Sequence, residues 1–147
     1  MAKRKKKMRI VEKTDVKKSD LLKQIKKIAE GLYYISETDA EIFPFSGSKA
    51  ERVVVEEVLK QTKSAVDAPV KERDFNEFFT RLTERQEWFG EEEIVTADKF
   101  AELKRLLECN LRDLKVFKIG RIELDIYVVG LDSENNLTGF KTKAVET

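Results

Sequence analysis

Apolar residues in this chain recur in short groups, and their period changes along its length. Leu21, Leu22, Ile25, Ile28 and Ala29 fall at i, i+1, i+4, i+7 and i+8, which is one face of a helix. Ser19 reads as its N-cap, Asp20 as a favourable first-turn acid and Gly31 as its C-terminal cap. Leu32–Ile35 reads as a buried strand, followed by a polar turn over 36–39. Ile42-Phe43-Pro44-Phe45 is apolar again, but Pro44 has no N–H to donate, so this stretch is an edge strand or a loop. Over 50–61 two periods compete. Val53, Val54 and Val55 favour a strand, whereas Val54, Val55, Val58 and Leu59 share a helix face, and a helix is the expectation adopted.

A Pro-containing linker over 64–69 precedes a short strand near Val70–Arg73. Asp74 and Glu77 then form a capping box ahead of Phe75, Phe78, Phe79 and Leu82. A long helix is expected to start between Glu91 and Ala97 and to run to about Leu111, with Phe100, Leu103, Leu107 and Leu111 as its buried stripe. Beyond it the period falls to two. Residues 116–119, a tight connection at Gly120-Arg121, and Ile122, Leu124, Ile126 and Val128 on alternate positions describe a hairpin. A turn over 132–136 lets 137–145 return as a third strand. The fold class is α+β, with a mainly antiparallel sheet and helices on both of its faces.

Composition adds a division that the periodicity does not show. The 147 residues suit one domain and carry a net charge of only +1. Residues 1–27 hold twelve Lys/Arg against three Asp/Glu, a net of +9, while 28–147 hold 17 against 25, a net of −8. Residues 1–18 therefore read as a basic flexible tail, and 19–147 as the folded domain. The run Lys3-Arg4-Lys5-Lys6-Lys7 suits phosphate contact, a localisation tag or simple solvation, and no aromatic residue interleaves it to stack on bases. There is no histidine, which removes the usual general base and the commonest metal ligand. Cys109 stands alone and reads as a small core residue. No apolar run is long enough to span a membrane, and Met8–Val11 is too short for a signal-peptide core, so a cytoplasmic location is expected.

Few motifs carry chemistry. Ser46-x-x-Lys49 lacks the partner motifs a serine nucleophile needs. Asp132-x-Glu134-x-Asn136 begins like a calcium loop, but Leu137 and Lys143 stand where Gly and Glu are required. Asn136-Leu137-Thr138 is a glycosylation sequon that matters only after secretion. Nothing here argues for an enzyme or for a cofactor of the protein's own. What stands out is Glu37 in a solvent-facing turn and Trp88, the only tryptophan, between Glu87 and Phe89. Trp88 has two readings, a core anchor for its loop or a binding hot spot. Glu91, Glu92 and Glu93 serve a helix start.

Six segments in order carry a resemblance: Gly31 to Glu37, Asp67-Ala-Pro69, Phe78-Phe79, Glu87-Trp88-Phe89, Gly120 to Gly130, and Thr142 to Thr147. Together they resemble the nuclease A inhibitor family over residues 19–147. The resemblance implies an α/β/α sandwich that binds a sugar-non-specific DNA/RNA endonuclease one to one as a monomer and blocks its Mg2+-dependent active site. It implies that Glu37 stands where a scissile phosphate sits, that Thr147 reaches the partner's Mg2+, and that Glu87 and Trp88 make a second contact. The alternative is a nucleic-acid-binding or other interaction module that uses the Lys-rich arm, with weak contact through residues 3–7.

Overall fold

The computed structural model describes residues 18–147, apart from Val66. The Lys3–Lys7 run lies outside the described residues. The first helix, α1 (Lys18–Ala29), buries Leu21, Ile25 and Ala29 and leaves Lys23, Lys26 and Lys27 outward. Ser19 lies inside its first turn and is not its cap, because the helix already includes Lys18, itself a good helix former. Gly31 takes φ +74°, and the Leu32 N–H donates to the Ala29 carbonyl at 2.9 Å, so the helix ends where expected.

Strands β1 (Tyr33–Ile35) and β2 (Asp39–Glu41) form a separate two-stranded hairpin. The buried strand expected at Leu32–Ile35 is only half correct. Leu32 is buried and Tyr34 half-buried, but Tyr33 and Ile35 face water. A hairpin with only one covered face hides only alternate residues.

The main sheet has five antiparallel strands in the order β3-β7-β6-β5-β4: β3 (Phe43–Lys49), β4 (Val70–Arg73), β5 (Arg112–Gly120), β6 (Glu123–Leu131) and β7 (Asn136–Val145). Pro44 sits on edge strand β3, where its missing N–H breaks no inner ladder. The connection from β5 to β6 is tight, with Gly120 at φ +127°. At the β6–β7 turn the buried Asp132 carboxylate accepts from the Glu134 and Asn136 N–H groups and from the Thr138 hydroxyl. That side chain is a turn former, its oxygens already engaged by the chain.

Helix α2 (Val55–Gln61) is shorter than the 50–61 expectation. Val53 and Val54 stay outside it, and Val54 is extended at φ −131°, ψ 159°, consistent with the strand preference of β-branched residues. In α3 (Phe75–Thr83) the Asp74 carboxylate accepts from the Glu77 N–H at 3.0 Å, which is the N-cap half of the capping box expected from the sequence. In α4 (Glu91–Asn110) the Glu93 carboxylate accepts from the Gly90 N–H at 2.9 Å.

Helices α1, α3 and α4 cover one face of the sheet. Leu21, Phe79, Phe100 and Leu103 pack there on Ile126 and Phe140. On the other face α2 sets Val58 and Leu59 against Phe117, Val129 and Leu137. The result is an α/β/α sandwich with a mainly antiparallel sheet and one thin outer layer. Cys109 is exposed, against expectation. It lies two residues past Leu107, about 200° around the helix from the buried stripe.

Candidate functional site

The four residues singled out from the sequence fall in two places. Glu37 lies in the turn between β1 and β2, and Thr147 lies just past β7. The fold brings these two together. Both the Thr147 N–H, at 2.9 Å, and its hydroxyl, at 2.7 Å, donate to one oxygen of the Glu37 carboxylate across a separation of 110 residues.

The surrounding chain makes that meeting local. The Val145 N–H donates to Ser36 Oγ at 3.0 Å, and the Glu37 N–H donates to the Val145 carbonyl at 3.3 Å. Ser36 Oγ also donates to the Thr38 carbonyl at 3.1 Å, shaping the turn. Further back, the buried Thr142 hydroxyl donates to the Glu41 carbonyl at 2.8 Å, so β7 holds the hairpin at both ends. From the sheet side, the Glu146 N–H donates to the Ile122 carbonyl at 2.9 Å, and the Glu146 carboxylate pairs with Lys118 at 3.0 Å. The last two residues are therefore tied to both the hairpin and the β5–β6 connection.

Glu37 is exposed. The hydroxyl of Thr147, and then its N–H, hold the Glu37 carboxyl below its ordinary value. At neutral pH it is a carboxylate with one oxygen engaged by Thr147. Because the Thr147 hydroxyl spends its proton on Glu37, its lone pairs are left for another partner.

Beside this tip, Tyr34 stacks on Phe78 with ring centroids 5.7 Å apart and planes 6° from parallel. Burial raises the Tyr34 pKa, with a further push from Glu146 against the pull of Arg81. A shallow groove of about 410 Å³ opens there, lined in part by Tyr34, Arg73, Arg81 and Lys118. Asp74 and Glu77 also line it, so it carries no strong charge of one sign.

Glu87 and Trp88 sit in the connection between α3 and α4, and both are exposed. Trp88 is 73% exposed and leans edge-on against Phe89 at 4.7 Å, so it is not a core anchor. Among the described residues, no hydrogen bond or ion pair links this connection to the Glu37–Thr147 tip. Sequence reasoning missed Ser36 and Thr142, which place the tip. A serine two residues before a threonine in a polar turn is the only local hint of the first, and nothing local marks the second. No group of three or more His, Cys, Asp or Glu is placed to hold a metal ion among the described residues.

The fold and this tip define a small α/β/α domain that locks two distant polar segments together at one end of its sheet. A family model described as NuiA, nuclease A inhibitor-like protein, matches residues 19–147, and the chain belongs to that family. No curated protein matches the chain.

Proposed function

We propose that this protein is an inhibitor that binds a sugar-non-specific DNA/RNA endonuclease and blocks its Mg2+-dependent active site. Membership of the nuclease A inhibitor-like family supports a nuclease as the partner. The observation that carries the finer reading is the bonded pair of Glu37 and Thr147, an exposed carboxylate and hydroxyl held side by side.

In this reading Glu37 takes the place of the scissile phosphate, since its free oxygen carries the negative charge that such a cleft is built to hold. Thr147 reaches the partner's Mg2+ through its hydroxyl. Magnesium prefers hard oxygen ligands and keeps several waters, so it accepts one or two such groups readily. The protein needs no cofactor of its own. Its contribution is to place the two oxygens before contact, which lowers the ordering cost of binding.

Charge supports the same encounter. Residues 28–147 sum to −8, and an acidic domain is drawn toward a cleft that holds phosphates. Glu87 and Trp88 then make a second contact, in which the exposed indole adds buried area that the charged tip does not supply. The domain over 19–147 acts as a monomer, one to one with its partner, in the cytoplasm. No helix of the described residues is long and apolar enough to cross a membrane.

The test is plasmid hydrolysis by a Mg2+-dependent non-specific nuclease, titrated with the intact chain, with a form lacking Thr147 and with Glu37→Ala. Stoichiometric inhibition by the intact chain that weakens in both variants, with the fold unchanged, supports the proposal. Equal inhibition by all three removes the tip from the mechanism. A chain that leaves the nuclease active but binds DNA in a steeply salt-dependent way, and loses this without residues 1–18, is instead a nucleic-acid-binding module.

A further inference from the structure

Two exposed isoleucines flank the tip. Ile35 is 68% exposed and Ile122 is 54% exposed, and both stand among the few large apolar side chains left in water over the described residues. Single exposed apolar residues are ordinary on a protein surface. The position of these two is what sets them apart.

Ile35 ends β1, two residues before Glu37. Its neighbour Tyr34 turns inward to stack on Phe78, and strand alternation sends Ile35 the other way. Ile122 lies in the β5–β6 connection, and its carbonyl accepts the Glu146 N–H directly before Thr147. Each isoleucine is therefore fixed within two residues of the tip, by the chain or by a backbone hydrogen bond. No helix among the described residues covers either one.

We propose that Ile35 and Ile122 form two apolar flanks of the docking surface whose centre is Glu37 and Thr147. The occupant is a protein that sets apolar side chains around the rim of a cationic, metal-bearing cleft. This rests on the function proposed above, and it adds what seals the contact. Charges at the tip guide approach, but apolar burial beside them excludes water and slows departure. A small anion or a phosphate backbone would gain nothing from two isoleucines, so the flanks favour a protein over those ligands.

The experiment measures binding of the full chain to a Mg2+-dependent non-specific nuclease by surface plasmon resonance, with inhibition followed in parallel. Ile35→Ser and Ile122→Ser are compared with the parent and with Phe43→Ser. Phe43 is 50% exposed, but it pairs with Lys141 on β7. Six residues separate Lys141 from Thr147, about 20 Å of extended chain. Each isoleucine variant should dissociate roughly tenfold faster, with association unchanged because no charge is altered. The double variant should lose about a hundredfold, and Phe43→Ser should behave like the parent. Thermal melts should coincide for the parent and both isoleucine variants, since exposed sites contribute little to stability. Tight binding by the parent together with parent-like isoleucine variants overturns the flanks and leaves the inhibitor reading standing. Absence of binding by the parent overturns both.

Discussion

Ser36 joins the hairpin turn to the last strand, and removing its hydroxyl tests whether the tip is built as described. In Ser36→Ala the Val145 N–H loses its acceptor at 3.0 Å, and the turn loses the bond to the Thr38 carbonyl at 3.1 Å. A neutral hydrogen bond contributes about 1 kcal/mol net, and less when exposed, so the two together are worth about 1–2 kcal/mol. If the loss were global, the melting temperature would fall by roughly 3–6 °C for a chain of this size. The hairpin is peripheral, however, so much of the effect should appear as local opening. The readout is amide hydrogen exchange at Val145. Its protection should fall by about tenfold, the equivalent of 1.4 kcal/mol, while amides in the middle of β6 keep theirs. Inhibition should weaken by no more than the same factor, because opening only reduces the fraction of molecules with the tip assembled. Unchanged exchange at Val145, with an unchanged melt, would refute the argument that Ser36 positions the tip.

Other consequences follow from single side chains. The Glu37 carboxyl is held low by Thr147, so carbon-13 NMR should find its midpoint below that of an ordinary exposed glutamate, and deleting Thr147 should return it to the ordinary range. A depressed carboxyl contributes above its unfolded pKa and loses that contribution as pH falls through the lowered value, so the pair should be intact at neutral pH and part only in acid. Equal midpoints in the two proteins would remove the bond from the solution structure. Trp88→Ala should leave the melt unchanged, since the indole is exposed, yet weaken inhibition by tenfold or more. Phe79→Ala should behave in the opposite way. Phe79 is fully buried against Phe75, Phe78 and Phe140, so its loss should cost about 3–5 kcal/mol in a denaturant titration.

Much of the architecture was legible from order along the chain. The apolar stripe of α1, the Asp74 cap, the helix over 91–110 and the alternation of β6 are local patterns, each decided by residues within a few positions of one another. Pro44 marked its strand as an edge because the loss of one N–H is also a local fact. The stretch over 50–61 stayed ambiguous because valine suits both a strand and a helix face, and the choice was made by the neighbours of Val58 and Leu59 in the second core.

Exposure followed a different logic. Ile35 looked buried and is not, and Cys109 looked buried and is not, because an apolar residue is hidden only if another element lies over it. Trp88 was undecided for the same reason. Glu37 and Thr147 were each singled out by resemblance, but no periodicity connects residues 110 apart. Their bond exists because β7 runs along the edge of a hairpin that Ser36 and Thr142 fasten to it. Secondary structure is written in short-range spacing, so the sequence by itself determined most of the elements. The site depends on which distant segments the core forces together, and only the tertiary structure decided that.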